Sequence, residues 1–214
     1  AKAEIEGAVK TPVEVETVAM DFSKGSASDY ASLASKLEGK EIGVLYNNVG
    51  ISYDNADNLE ALTDEKVDAI IEVNNRAMVK MTKMVLPSML ARKKGAIVNV
   101  GSFEGCIPAP FYVVYGASKA FVEWFSRDLS SELKGKGVTC HDHIALFVAT
   151  KMSIPNEKRR KATMFTPWPK DWAKASISHI GYDAYIVPYW SHAIQAAVFM
   201  MLPQFLQDKT RYDT

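Results

Sequence analysis

The chain has 214 residues, 48% of them hydrophobic and 23% charged, with 25 acidic and 25 basic side chains and no formal net charge. That length supports one domain with a substantial core, and the neutral balance argues against a nucleic-acid binder that lives on phosphate contacts. Two cysteines, Cys106 and Cys140, share no motif spacing, which points to a reducing compartment and no disulfide framework.

Val13 to Met20 alternates and predicts a strand. Ser26 to Leu37 predicts a helix with Tyr30, Leu33, Ala34 and Leu37 on one face. Ile42 to Tyr46 predicts a buried strand ending at Asn47. Thr63 to Arg92 predicts a long helix, with Asp64 and Glu65 suiting the positive end of its dipole. Its apolar stripe runs through Val67, Ile70, Ile71, Met78, Met81 and Val85, and Asn74 falls inside it.

Ala96 to Val100 predicts another strand. Tyr115 to Leu133 predicts a helix with Ala117, Phe121, Val122, Phe125 and Leu129 facing inward, ended by Gly135 and Gly137. Val138 to Phe147 predicts a strand, and residues 151–180, with Pro155, Pro167 and Pro169, read as irregular. Ala184 to Val187 predicts a short strand. Tyr189 to Leu206 reads as a final helix, buried or partly exposed, because Ser191, His192, Gln195, Pro203 and Gln204 interrupt any run of ~18 apolar residues. Alternating strands and helices predict an α/β fold, a parallel sheet wrapped by helices.

The chemistry starts from Tyr115 and Lys119, four residues apart on one helix face. A phenol with pKa near 10 is a poor base at neutral pH, and an ammonium one turn away favours its ionised form. Ser102 follows a predicted strand, where α/β sheets place their ligands, and its hydroxyl can hold a substrate oxygen about 3 Å from the phenol. Asn74, an amide in an apolar stripe, must find partners, either in a structural network or in a site. Asn47-Asn48-Val49-Gly50 closes a strand, and Gly50 lets a ligand or backbone approach closely. Tyr112 is a decoy, because Gly116 rather than a cation follows four residues later. His141 and His143 would share a strand face; too few further ligands lie near for a metal site, which leaves a polar patch near a subunit edge.

In residue type and order these elements resemble the short-chain dehydrogenase/reductase family, from Val13 to Val187. The resemblance implies a Rossmann-like doubly wound parallel sheet, with residues 1–214 forming one domain and residues 151–183 covering the substrate. It makes Tyr115 the catalytic acid/base, Lys119 the partner that lowers its pKa and binds the nicotinamide ribose, and Ser102 the substrate-orienting hydroxyl. Asn74 becomes the helix-bending asparagine of a proton relay. Asp21, Asn47, Gly50 and Thr150 join Tyr115 and Lys119 against the cofactor.

A narrower resemblance rests on Asn47 to Tyr53, Val79 to Pro87 and Phe147 to Met152. It points to the branch of very-long-chain 3-oxoacyl-CoA reductases and 17β-hydroxysteroid dehydrogenases. That implies NADP(H), a long-chain acyl-CoA or steroid substrate, and the endoplasmic reticulum membrane, facing the cytoplasm. The long helices at Thr63 and Tyr115 correspond to the homodimer interface of much of the family, and the oligomeric state stays open. Lys158-Arg159-Arg160-Lys161 reads as a solvated loop, or as a partner of CoA phosphates or lipid head groups, with Phe165, Trp168 and Trp172 as apolar area beside it.

The chain departs from the family pattern in two places. No Thr-Gly-x-x-x-Gly-x-Gly turn occurs, and Ala145 stands where the family has a proline. The expectation is an N-terminally truncated chain, lacking the family's first strand, helix and second strand, that binds NADP(H) weakly or not at all. A non-catalytic relative is the competing reading.

Overall fold

The computed structural model describes residues 2–8 and 11–212, and the chain divides into two compact units, residues 1–40 and 41–214. The first carries helices α1 (Lys2–Ala8) and α2 (Ala27–Leu37). α2 starts on a capping box between Ser26 and Asp29 and buries Tyr30 as its periodicity predicts. The strand expected over Val13 to Met20 does not form. A strand exists only through ladder partners, and all four strands of the sheet lie in residues 41–214.

The second unit is built on that sheet: β1 (Val44–Asn47), β2 (Gly95–Ser102), β3 (Val138–Ala145) and β4 (Tyr185–Ile186), in that order. All three pairings are parallel, which confirms the α/β class. Ile97, Val98, Cys140 and Ile144 are fully buried at its centre, as expected for strands covered on both faces. Register sets Asn47 beside Asn99, and Ser102 beside Ala145, so the functional strand ends lie together.

The long helix is real but not uniform. α3 (Asp64–Ile71), capped by Thr63, passes through a π-turn at Glu72–Arg76 into α4 (Ala77–Arg92). The π-turn inserts one residue into the helical repeat. Val73, Asn74 and Asn75 are therefore all buried in succession, while Ile71, inside the predicted stripe, is exposed.

α5 (Val113–Glu132) corrects the predicted inner face: Phe121 is 46% exposed and Ala117 is also exposed. The side turned to the sheet carries Gly116, Ser118, Lys119, Val122 and Ser126 instead. The 3-10 turn at Phe103–Gly105 packs closely on this helix; a Cβ on Gly105 would lie 2.5 Å from the carbonyl carbon of Lys119.

Two further expectations change. Residues 151–180 hold a regular helix, α6 (Pro169–Ser178); Pro169 stands at its first turn, where a missing N–H costs nothing. The final helix is two, α7 (Trp190–Met201) and α8 (Gln204–Tyr212), separated at Pro203. No helix among the described residues is long and apolar enough to cross a membrane.

Candidate active site

Ser102 ends β2 and its Oγ accepts from Glu104 N at 3.3 Å, turning the chain into a short 3-10 turn at Phe103–Gly105. Tyr115 lies in the first turn of α5, half-buried. Burial pushes its phenol above the ordinary value, and the Ser102 hydroxyl pulls it partly back. The expected effect of Lys119 on this phenol is not realised. Lys119 Nζ donates to Val100 O at 2.8 Å and lies 5.9 Å from the centre of the Tyr115 ring. The lysine faces the strand, so desolvation of the phenolate prevails over attraction to the ammonium. Lys119 itself is buried, and burial pushes it down to about 8 against the opposing pull of Asp142.

Two cavities meet at this point. The first, about 640 Å³, is lined by Asn48, Val49, Gly50, Lys119 and Thr150, with α6 supplying Trp172. The second, about 520 Å³, is lined by Tyr53, Phe103, Tyr112, Phe147 and Phe199. They share Ser102, Tyr115, Ala145, Leu146, Met152 and Ser153. A polar ligand atom at the junction would find two hydroxyls, with one cavity on either side of it.

Gly50 and Thr150 both line the first cavity. A Cβ on Gly50 would stand 3.4 Å from Asn74 Oδ1 and 3.7 Å from Lys119 Nζ. Thr150 Oγ1 shares a hydrogen bond of 2.9 Å with Ser153.

The two asparagines act as braces. Asn74 is 3% exposed; its Oδ1 accepts from Ile51 N at 2.9 Å, and its Nδ2 donates to Ile51 O at 3.0 Å and Ser118 Oγ at 2.9 Å. It fastens the π-turn to the loop that carries Gly50. Asn47 Nδ2 donates to Asn99 Oδ1 at 2.8 Å and Thr82 Oγ1 at 3.2 Å, and Asn99 continues to Ser126 Oγ. This ties β1, β2, α4 and α5 together, while Asn48 next to it lines the cavity. Asp21 belongs to the first unit. Its carboxylate accepts from Ser23 N and Oγ, which hold it below the usual range.

Several side chains were missed or misjudged. His141 and His143 are fully buried rather than a patch at an edge. His141 Nε2 accepts from Gly181 N and Nδ1 bonds Asp183 O. His143 Nδ1 meets Ser176 Oγ at 2.6 Å, and burial pushes the ring down to about 4. Ser176 also bonds Tyr46 OH, fixing α6 over the first cavity. No cluster of three potential metal ligands occurs among the described residues. Tyr112, dismissed for lacking a cation partner, stacks on Tyr53 at 5.3 Å and lines the second cavity. His192 accepts from Leu146 N and bonds Phe147 O, holding the segment that lines both cavities. A histidine in a C-terminal apolar run gave no hint of that, since its partners lie more than forty residues away.

The short chain dehydrogenase family matches residues 1–161. This chain belongs to that family. The very-long-chain 3-oxoacyl-CoA reductase of Rattus norvegicus is 37% identical over 94% of this chain and 63% of its own length. The human inactive hydroxysteroid dehydrogenase-like protein 1 is 36% identical over 91% of this chain and 58% of its own. The chain thus spans less than two thirds of these relatives. Among solved structures, a 7beta-hydroxysteroid dehydrogenase superposes with a TM-score of 0.82 at 18% identity, over 98% of this chain and 80% of its own, a likeness of fold. A serine dehydrogenase complexed with NADP+ is 29% identical, with a TM-score of 0.56 over 83% of this chain and 67% of its own.

Proposed function

We propose that this chain carries the proton-transfer centre of a reductase that uses NADPH to reduce the ketone of a long 3-oxoacyl-CoA. The observation that carries the reading is the meeting of two cavities at Ser102 and Tyr115, with a buried lysine behind them. The Ser102 hydroxyl donates to the ketone oxygen and orients it. Tyr115 gives that oxygen its proton, and its raised pKa keeps the phenol protonated at neutral pH, the form that reduction requires. The bound nicotinamide supplies the hydride. Residues of the first cavity fit such a group: the Lys119 ammonium at its wall suits ribose hydroxyls, Thr150 Oγ1 the carboxamide, and Gly50 puts no side chain in the way of close approach. Asn74 and Asn47 hold that wall in shape, and Asp21 is assigned to the adenine end on family likeness alone.

The second cavity, with Phe103, Phe147 and Phe199, suits an acyl chain. Exposed Lys158, Arg159 and Lys161 suit the CoA phosphates. A homodimer through the exposed Phe121 and Trp124 of α5, and a place at the endoplasmic reticulum membrane, complete the reading. Likeness to the reductases favours acyl-CoA over a steroid; likeness to a protein named inactive favours a non-catalytic role.

The test is NADPH oxidation by the full-length protein with a long 3-oxoacyl-CoA and, separately, a 17-oxosteroid. The acyl-CoA should turn over faster, and Tyr115→Phe should lose at least about 100-fold, the usual weight of a proton donor. Undiminished turnover in Tyr115→Phe refutes the assignment, and no turnover of either substrate by the folded protein favours the non-catalytic role.

A further inference from the structure

Asp142 has no part in the reading above, yet its placement is unusual. It lies within β3, 1% exposed, and neither carboxylate oxygen has a hydrogen-bond partner among the described residues. The Gly101 N–H draws it slightly towards the charged form without making a regular bond. A buried, unpaired carboxylate is costly, and a small neutral side chain would fill the same place without that cost.

The surroundings are made for the carboxylate. A Cβ on Gly101, two residues along β2 from its register partner Asn99, would overlap Asp142 Oδ1. Val100, one residue earlier, offers the carbonyl that holds Lys119 Nζ at 2.8 Å. Asp142 pairs in register with Asn99, whose amide bonds Ser126 of α5, so it lies on the sheet face that α5 covers, and the α5 charges whose fields reach it are Lys119, Glu123 and Arg127. Arg127 pairs with Glu123 at 3.0 Å and stacks over the Tyr185 ring at 4.1 Å, so those two charges answer each other. Cys106 and Cys140 also face it, each with a thiol pushed up to about 12 by burial, and Tyr185 lies opposite in register. Lys119 remains as the cation that Asp142 answers.

We propose that Asp142 is a positioning residue that acts through Lys119, its carboxylate beneath Gly101 keeping the lysine protonated and drawn to the end of β2 where it borders the cofactor cavity. The proposal rests on the role given to Lys119 above. Burial alone drives Lys119 towards the neutral amine, and the charge of Asp142 opposes that. The converse holds for Asp142, which burial pushes up to about 7 while Lys119 pulls it back.

The experiment is an NMR titration of the 214-residue chain labelled with 13C at lysine Cε, the Lys119 signal being assigned by its loss in Lys119→Arg. Asp142→Asn and Asp142→Ser should each lower the Lys119 midpoint by about one pH unit or more, and a one-unit shift is a tenfold change in its proton affinity. An unchanged midpoint overturns the proposal, because a merely structural carboxylate would leave it alone. Coupling is mutual, so Lys119→Met should raise the midpoint of the Asp142 carboxyl, followed at 13Cγ. If the Asp142 variants do not fold, the Lys119→Met variant decides: an Asp142 midpoint unchanged from wild type overturns the proposal. Turnover is not read, so a Tyr115→Phe variant that stays active would refute the reductase reading while leaving this titration to stand or fall by itself.

Discussion

Replacing Asn74 with alanine tests whether the asparagine is a brace. The amide makes three hydrogen bonds, to Ile51 N, Ile51 O and Ser118 Oγ, at 2.9, 3.0 and 2.9 Å. Truncation removes all three. Ser118 keeps its own donation to Tyr115 O at 2.7 Å, so it loses only the bond it accepts. The Ile51 groups are part-buried and regain some hydration. At about 1 kcal/mol net per bond, the loss is about 2–4 kcal/mol. For a chain of this size each kcal/mol moves the melting temperature by about 2–4 °C, so a fall of about 4–16 °C is expected in a thermal melt followed by near-ultraviolet circular dichroism. Asn74→Asp sharpens the test. It keeps an acceptor for Ile51 N but turns a second acceptor towards Ile51 O, and should be at least as destabilising as alanine at pH 7. A fall below about 2 °C in the alanine variant, or an aspartate variant as stable as wild type, would refute the reasoning.

Two further predictions concern packing and pH. Gly105→Ala should cost about 1–3 kcal/mol in the same melt, because the new Cβ would meet helix backbone at Lys119 and Ala120, 2.5 and 2.6 Å away, which cannot yield as a side chain can; an unchanged melting temperature would show that α5 is free to shift. Asp142 should make stability fall as pH rises: burial holds its folded pKa at about 7, above the ordinary 3.8, so the folded state holds the proton more tightly and loses that advantage between about pH 4 and 7. Asp142→Asn should therefore be more stable than wild type at pH 8, by at least about 1 kcal/mol, with the gain gone at pH 4; an equal gain at both values would mean the carboxyl is not perturbed.

The parts of the fold legible in the sequence were those set by local pattern. α2 and its buried Tyr30, β2 and β3, and the long helix from Asp64 were readable from apolar period and end signals. Residues that needed a partner were not. Val13 to Met20 has a strand's alternation but no ladder, and α6 was hidden because Pro169 reads as a breaker when taken without its place in the first helical turn. α5 misled because its inner face is small and polar. Lys119 and Ser126 turn inward to meet Val100 and Asn99, while Phe121 faces out.

The site divides along the same line. The sequence alone determined that Tyr115 and Lys119 share a helix face and that Ser102 ends a strand, since helical and strand periods fix such relations over a few residues. Only the tertiary structure decided what those groups do to one another. Burial, not the neighbouring lysine, sets the Tyr115 phenol; Asn47 and Asn74 became braces through partners Asn99 and Ser118, 52 and 44 residues away. Asp142 came within reach of the Lys119 charge only when β3 packed against β2 and α5. Desolvation and charge coupling depend on which distant segments close around a group, and no spacing along the chain records that.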